Sequence, residues 1–234
     1  MLHQWYIVVL VIGHRGNTLR ILWWYLHVGT PIIEVDTRFI NDDFYAVHGP
    51  SPIRRASIFG KIMAWIDYHF FYRDPLVKPL KLSRILEMIN GKADIMIDIK
   101  QLGIVDKLLS LLDVSGFKGK IYVTSELHPV IKEIKERRRD IVTIASINIL
   151  PIDIVDIASK ADADMVSIHL SLLNRRIIDQ LHNAGFKVLT WTINDKNQAK
   201  QFIEMDVDGI VTDRPDIILK IIRDNVKAPN VAAT

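Results

Sequence analysis

Short apolar segments rich in β-branched residues alternate along the chain with amphipathic segments of helical period. The apolar segments are nearly continuous, which is typical of parallel strands that are covered on both faces. They occupy residues 6–12, 31–37, 94–100, 120–125, 141–146, 163–170, 186–193 and 208–213. Helical periodicity is found between them, for example at 82–90, 105–113, 129–137, 175–185 and 196–206, and Gly185 stands where a helix C-cap belongs.

The number and the spacing of these units predict a closed barrel. Eight strands that alternate with helices within 234 residues fit the α/β class and a (β/α)8 TIM barrel. A doubly wound open sheet is the structural alternative, but eight evenly spaced units favour closure. We therefore predict a single domain over residues 1–234.

The alternation is interrupted once, after the second strand. Asp42 and Asp43 lie between two short extended segments and predict the tight turn of a hairpin. A long connection follows, and we predict an insertion over residues 49–79 that lies over the catalytic rim of the barrel. Its aromatic-rich residues 58–72 fit a lid, a dimer contact, a membrane-surface contact or the packing of a small inserted helix.

Composition narrows the classes of partner. The 30 basic and 27 acidic residues give a formal net charge of only +3, and they are dispersed, so we expect no nucleic-acid partner. Cysteine is absent, which excludes disulfides, thiolate ligands and a thiol nucleophile and favours a cytoplasmic location. The apolar start of the chain lacks signal-peptide features and is too short to span a bilayer, so we expect no transmembrane segment.

Ionisable residues concentrate where the predicted strands end, and in a parallel barrel these ends meet at one rim. Glu34 and Asp36 are two residues apart on the second strand, so both carboxylates face the same side of it. Asp98 and Lys100 are spaced in the same way on the third strand. The other candidates at this rim are His14 and Arg15 after the first strand, His48 after the hairpin, and Trp191 and Asn194 on the seventh strand.

This set of residue types indicates phosphate-ester chemistry. Three converging carboxylates repel one another unless a cation lies among them, and all-oxygen ligation favours Mg²⁺, Ca²⁺ or Mn²⁺ over zinc. Arg15 and Lys100 would contact the oxygens of an anionic substrate. Two histidines can divide the roles of general base and general acid near neutral pH. A divalent ion with these side chains suits cleavage of a phosphate ester.

Five motifs resemble the glycerophosphodiester phosphodiesterase family in their order and spacing. They are GHRG, IIEVDTRF…DDFYAVH, IMIDIK, LTWTIN and VDGIVTDRPD, which together run from Gly13 to about Asp216. The resemblance implies hydrolysis of a small-molecule glycerophosphodiester to glycerol phosphate and an alcohol, through attack by the neighbouring glycerol hydroxyl and opening of the cyclic phosphate by water. It also implies individual roles: His14 and His48 as catalytic residues, Glu34, Asp36 and Asp98 as metal ligands, and Arg15, Lys100 and Trp191 as substrate-binding residues.

The chain departs from the family pattern at three places. Asn17 and Thr18 directly follow Gly16, where the family usually has several residues and a Pro-Glu-Asn-Thr segment, so the first loop is short and lacks its glutamate. His48 is followed by glycine where the family usually has aspartate. Asp98 stands in place of a longer glutamate, and a flexible Ca²⁺ site or a bridging water absorbs such a shortening better than strict Mg²⁺ geometry.

Alternatives remain at this stage. The aromatic-rich insertion and the short first loop also fit a lipid-directed, phospholipase D-like enzyme that acts on lysophospholipids. The three departures fit a barrel that binds phosphate metabolites without turnover. In one alternative interpretation, Asp98 and Lys100 only form a buried salt bridge with each other. In another, Trp191 packs in the core and does not bind the substrate. His169, at the end of the sixth strand, is assigned no role.

Overall fold

The computed structural model describes residues 9–48, 76 and 78–227, and these ranges contain the strands and helices that follow. The strands are β1 (Leu10–Gly13), β2 (Ile32–Ile40), β3 (Asp43–Ala46), β4 (Asp94–Ile99), β5 (Ile121–Ser125), β6 (Val142–Ile147), β7 (Met165–His169), β8 (Lys187–Trp191) and β9 (Gly209–Thr212). The helices are α1 (Leu19–Val28), α2 (Leu82–Ile89), α3 (Val105–Ser115), α4 (His128–Arg137), α5 (Ile154–Lys160), α6 (Arg175–Asn183), α7 (Lys196–Glu204) and α8 (Pro215–Lys227).

Eight of these strands form a closed parallel barrel. Strand β1 pairs with β2 on one side and with β9 on the other, and the remaining barrel strands pair in chain order. The register places Ile12 opposite Ile32 on β2 and opposite Val211 on β9. The pairing of β1 with β2 closes the sheet, so the predicted (β/α)8 barrel is confirmed and the open-sheet alternative is wrong.

The ninth strand, β3, forms the predicted hairpin with β2. Its turn consists of Asn41 and Asp42, because Ile40 pairs with Asp43. Both turn residues have positive φ angles, 48° and 62°, a conformation that Asn and Asp tolerate better than most residues. The turn therefore lies one residue earlier than the predicted Asp42–Asp43.

The interior of the barrel contains an apolar layer to which each barrel strand contributes one side chain. Its members, in barrel order, are Ile12, Ile32, Met96, Tyr122, Ile144, Met165, Leu189 and Val211. Two larger apolar clusters contain the residues that join the barrel to its helices. Because side chains alternate along a strand, the residue two positions beyond each member of the apolar layer also faces the barrel interior, nearer the carboxyl ends of the strands.

Several sequence predictions fall wholly or largely outside the described residues. The insertion over 49–79 does so except for Leu76 and residues 78–79, and the aromatic-rich residues 58–72 do so entirely. Among the described residues, none of the helices combines the length and the apolar composition that crossing a membrane requires.

Candidate active site

A ring of eight side chains follows the apolar layer toward the carboxyl ends of the barrel strands. Each member stands two residues beyond a member of the apolar layer, which gives His14, Glu34, Asp98, Thr124, Ser146, Ser167, Trp191 and Asp213. All of them except Asp213 line one cavity of about 300 Å³. The same cavity is lined by Arg15, Asp36, His48 and Lys100. The fold therefore brings together all eight site residues that the sequence predicts.

Three carboxylates form the centre of this site. Glu34, Asp36 and Asp98 each offer an oxygen within 4.8 Å of the other two. Oxygens that bind one hard cation at about 2.0–2.6 Å lie no farther apart than roughly 5 Å, so this spacing fits a shared ion. Glu34 Oε1 and Asp98 Oδ1 are buried and have no hydrogen-bond partner within the described ranges. The donor set fits a divalent cation that prefers oxygen, such as Mg²⁺, Ca²⁺ or Mn²⁺.

The pKa values of the three carboxyl groups are shifted because the groups are buried close together. Burial, with the charges of Asp36 and Asp98, raises the pKa of Glu34 well above its ordinary value. Burial raises the pKa of Asp98 to about 6. Burial also acts to raise the pKa of Asp36, but the Lys100 ammonium and hydrogen bonds outweigh it and lower that pKa. A bound cation would relieve this repulsion, because metal ligands are held in their deprotonated form.

Two cationic side chains lie against the carboxylates. Lys100 Nζ is 2.5 Å from Asp98 Oδ2 and 3.1 Å from Asp36 Oδ1. Arg15 Nε lies 3.8 Å from Asp36 Oδ2. The salt bridge between Asp98 and Lys100 is therefore present, yet Asp98 keeps its Oδ1 free of hydrogen bonds within the described residues. The salt bridge and a cation site are compatible.

His14 belongs to a chain of hydrogen bonds that fixes its ring. Its Nδ1 lies 2.8 Å from Asp213 Oδ1, and Asn194 Nδ2 donates to Asp213 Oδ2 at 2.7 Å. The bond with His14 is the main reason that the pKa of Asp213 is lowered. The backbone of His14 is held as well, since Tyr25 Oη donates to its carbonyl at 2.5 Å. With Nδ1 engaged, Nε2 is the ring nitrogen of His14 that is left for a substrate.

His48 has a partner at each ring nitrogen. Its Nδ1 lies 3.2 Å from Asp36 Oδ1, and its Nε2 lies 2.7 Å from Arg15 Nη2. A guanidinium only donates hydrogen bonds, so Nε2 accepts here and the ring proton is on Nδ1, facing Asp36. Arg15 must therefore leave Nε2 before that nitrogen can exchange a proton with a substrate.

The short loop after β1 holds both acidic side chains of β2. Asn17 is 9% exposed; its Nδ2 donates to Asp36 Oδ2 at 2.9 Å, and its Oδ1 accepts from the Asp36 backbone N–H at 3.1 Å. The Arg15 backbone N–H donates to Glu34 Oε2 at 2.7 Å. A Cβ on Gly16 would lie 2.4 Å from Ile33 Cγ2, so the close approach of the loop to β2 requires glycine.

Sequence reasoning missed several of these contacts. From the sequence alone, Asn17 is notable only because it arrives early in the family pattern, and Asn194 stands at the rim without an assigned partner. Asp213 lies inside the last motif, and its position two residues beyond a buried apolar strand residue is the signal that identifies it. Trp191 both packs against the apolar layer and lines the cavity, so the two interpretations of it are compatible. His169 packs edge-on against its ring with centroids 5.0 Å apart.

Comparison with known proteins gives a consistent set of relatives. The sequence profile of the glycerophosphoryl diester phosphodiesterase family matches residues 85–217. YhdW of Bacillus subtilis, named for the same phosphodiesterase group, is 29% identical over an alignment of 147 positions that covers 59% of this chain and 60% of that protein. A glycerophosphodiester phosphodiesterase of Caldanaerobacter subterraneus is 22% identical over 92% of this chain and 98% of its own length.

Solved structures share the fold. A phosphodiesterase of Oleispira antarctica, in complex with its product sn-glycerol-3-phosphate, superposes with a TM-score of 0.77 at 18% identity, covering 92% of this chain and 97% of that one. A glycerophosphodiester phosphodiesterase of Parabacteroides distasonis gives 0.74 at 16% identity, covering 94% and 99%. The family and the enzyme class that the sequence motifs predict are confirmed by the profile match, which spans more than half of the chain. The chain belongs to the glycerophosphoryl diester phosphodiesterase family.

Proposed function

We propose that this chain hydrolyses glycerophosphodiesters to glycerol phosphate and an alcohol, with a divalent cation held by Glu34, Asp36 and Asp98. The observation that carries the proposal is the meeting of three carboxylates, two histidines and two cationic side chains around one cavity at the carboxyl ends of the strands. The names of the relatives and the product bound to the Oleispira antarctica phosphodiesterase support the same substrate class.

The cation and the two basic residues together bind the phosphate of the substrate. A divalent ion bound to the carboxylates would neutralise their repulsion and polarise a phosphoryl oxygen. Lys100 and Arg15 now contact Asp98, Asp36 and His48, and a phosphodiester supplies oxygens that replace those partners. Arg15 offers two parallel donors to such oxygens, whereas Lys100 acts as a compact charge. Binding of the phosphate to Arg15 would thereby free Nε2 of His48.

The two histidines move the protons. His14 Nε2 takes the proton of the glycerol hydroxyl beside the phosphate, and that oxygen forms a bond to phosphorus. The bond from phosphorus to the alcohol breaks, and His48, protonated at Nε2 once Arg15 has moved, donates that proton to the departing oxygen. Water then attacks the cyclic phosphate and gives a proton to His48, while His14 returns its proton to the glycerol oxygen. Both side chains end as they began.

Metal removal and two histidine variants test this function. Glycerophosphocholine should be hydrolysed in the presence of Mg²⁺, Ca²⁺ or Mn²⁺, and a chelator should abolish turnover reversibly. His14→Ala and His48→Ala should each lower kcat by about 10²- to 10⁴-fold, the usual contribution of a general acid or base. His27→Ala, on the exposed face of α1, is the matched control and should keep full activity. Undiminished turnover after exhaustive metal removal contradicts the proposal.

A second candidate, the lipid-directed enzyme, is favoured by one surface feature. Three apolar residues follow β6 at the catalytic end of the barrel: Ile149, which is 80% exposed, Leu150, which is 45% exposed, and Ile152, which is fully exposed. Exposed apolar side chains beside a cavity mouth fit the acyl chain of a lysophospholipid. Turnover of lysophosphatidylcholine above that of glycerophosphocholine would favour this candidate, and the reverse order would favour the first. A binding protein without turnover is the third interpretation, and the absence of product with every divalent metal would support it.

Two further sequence predictions belong to this proposal. The single domain over residues 1–234 with an insertion at 49–79 predicts one cooperative unfolding transition for the whole chain. The cytoplasmic location rests on the cysteine-free composition and is tested by fractionating cells that express the tagged chain.

A further inference from the structure

One arc of the ring that lines the cavity carries hydroxyl groups in place of charges. Thr124 on β5, Ser146 on β6 and Ser167 on β7 come from three successive strands and line the cavity. We call these three residues the hydroxyl wall. They are 6%, 9% and 6% exposed, and all three line the cavity, so the small exposed fraction of each faces it. The ionisable members of the ring lie on the opposite arc, formed by β9, β1, β2 and β4.

The hydroxyl wall lacks internal hydrogen-bond partners. Thr124 Oγ1 is buried and unpaired in the described part of the chain. Neither serine hydroxyl makes a hydrogen bond to any residue within 9–48, 76 or 78–227. A buried hydroxyl without a partner, such as that of Thr124, destabilises the fold unless a bound molecule pairs with it. The wall is therefore arranged to bind something that enters the cavity.

The position of the wall indicates which part of a substrate reaches it. Thr124 is the register partner of Asp98 across the β4–β5 pair, and Ser146 is the register partner of Ser167 across the β6–β7 pair. Neighbouring strands lie about 4.8 Å apart, so the wall begins one strand away from the carboxylates that would hold the phosphate. A group of two or three carbons attached to that phosphate spans this distance.

We propose that the hydroxyl wall binds the terminal hydroxyl of the glycerol arm, the one that does not attack phosphorus, and selects for that arm. This inference rests on the proposed phosphodiesterase function. Each hydroxyl of the wall can both donate and accept a hydrogen bond, which matches the hydroxyls of a polyol. An alkyl arm would leave the wall unpaired, and sites that bind a substrate hydroxyl reject analogues without it. Glu126 adds an acceptor at the mouth, where its Oε2 accepts from Asn148 Nδ2 at 2.9 Å.

The test compares two phosphate monoesters that differ only in the terminal hydroxyl, sn-glycerol-3-phosphate and 1,2-propanediol 1-phosphate. Their dissociation constants are measured by calorimetry with the divalent metal present, for the wild type, Thr124→Val, Ser146→Ala, Ser167→Ala and the triple variant. Each single variant should weaken the binding of glycerol phosphate by about three- to tenfold, the effect of one neutral hydrogen bond, and leave the binding of 1,2-propanediol 1-phosphate unchanged. The triple variant should bind the two monoesters almost equally.

Thr190→Val is the matched control. Thr190 Oγ1 is also buried without a partner among the described residues, but Thr190 lies between Leu189 and Trp191, which face the interior, and so it faces away from the cavity. The control should change neither dissociation constant. Thr124→Val should unfold at no lower denaturant concentration than the wild type, because it removes an unpaired polar group. This separates lost binding from lost folding.

Turnover of glycerophosphocholine by the wild type distinguishes a failure of the hydroxyl-wall inference from a failure of the proposed function. If the wild type hydrolyses the diester and the triple variant keeps the wild-type preference for glycerol phosphate, the hydroxyl-wall inference is wrong and the function stands. If the wild type neither binds glycerol phosphate nor hydrolyses the diester, the proposed function itself fails. A loss of affinity that is equal for both monoesters also overturns the inference, since it indicates a disturbed phosphate site.

Discussion

Replacing Asp213 with asparagine probes how the ring of His14 is held for proton transfer. Asp213 accepts two hydrogen bonds, from His14 Nδ1 at 2.8 Å and from Asn194 Nδ2 at 2.7 Å, one on each carboxylate oxygen. An amide has one oxygen and one NH₂ group, so only one of these donors keeps its partner. If Asn194 keeps the oxygen, the NH₂ group faces His14 Nδ1, and the ring moves its proton to Nε2. That tautomer cannot accept the proton of a substrate hydroxyl.

The size of the effect follows from these contacts. The lost bond from His14 to a charged group is worth about 1.5–3 kcal/mol, which corresponds to roughly 10- to 150-fold in rate when the imidazolium forms in the transition state. The unfavourable tautomer adds to this loss, so we expect Asp213→Asn to lower kcat by about 10²- to 10⁴-fold with a small change in KM. Steady-state kinetics with glycerophosphocholine measures both constants.

The chain offers a matched control for this variant. Asp208 Oδ2 lies 2.8 Å from His182 Nε2, the same type and length of contact, and neither residue lines the cavity. Asp208→Asn should change stability and leave kcat unchanged. The reasoning is refuted if folded Asp213→Asn retains kcat within threefold of the wild type, or if Asp208→Asn lowers kcat as strongly.

Three further predictions concern the metal site, an exposed ion pair and the barrel interior. Asn17→Ala removes both hydrogen bonds to Asp36 and should weaken divalent-metal affinity by about 10- to 100-fold in a calorimetric titration; unchanged affinity would show that the short loop does not support the ligand. The contact with Arg138 lowers the pKa of Asp140, so its stabilisation is present above the ordinary carboxyl pKa and is lost as the pH falls through the lowered value. Asp140→Asn should therefore cost no more than about 1 kcal/mol of unfolding free energy at pH 7, by urea denaturation, and less as the pH is lowered below the ordinary carboxyl pKa; a cost that grows on acidification would contradict the sign. Ile144→Ala, at a fully buried position of the apolar layer, should cost about 2–5 kcal/mol in the same assay, and a cost below 1 kcal/mol would mean that the barrel collapses around the change.

The barrel was predictable because its strands carry a strong physical signal. Strands covered on both faces are largely apolar, so β4 and β8 are visible as short segments in which apolar and β-branched residues predominate. The hairpin turn was placed one residue late because an Asn-Asp-Asp sequence offers two possible pairs, and only the pairing of Ile40 with Asp43 decides between them. Turn position depends on cross-strand register, which a local pattern does not contain.

The charged half of the site was predictable for a related reason. A carboxylate or a histidine at the buried end of an apolar strand destabilises the fold unless it binds a partner. Glu34, Asp98 and His14 are therefore conspicuous in the sequence. Their partners are less visible. Asn194 and Asp213 are ordinary loop residues until the barrel closes and brings β8, β9 and β1 side by side. Such contacts depend on three-dimensional closure, because residues 14 and 213 lie 199 positions apart in the chain.

The hydroxyl wall had no sequence signal at all, since serine and threonine are common in strands and carry no charge. It becomes visible when the apolar layer is used as a reference. Adding two residues to each member of that layer leads to the histidine, the acids and the tryptophan predicted from the sequence, and by the same step to Thr124, Ser146 and Ser167. The alternation that packs the barrel thus also aligns the site above it. A change in register of β5, β6 or β7 would therefore remove a hydroxyl from the cavity and an apolar side chain from the core together, which couples substrate selection to the stability of the fold.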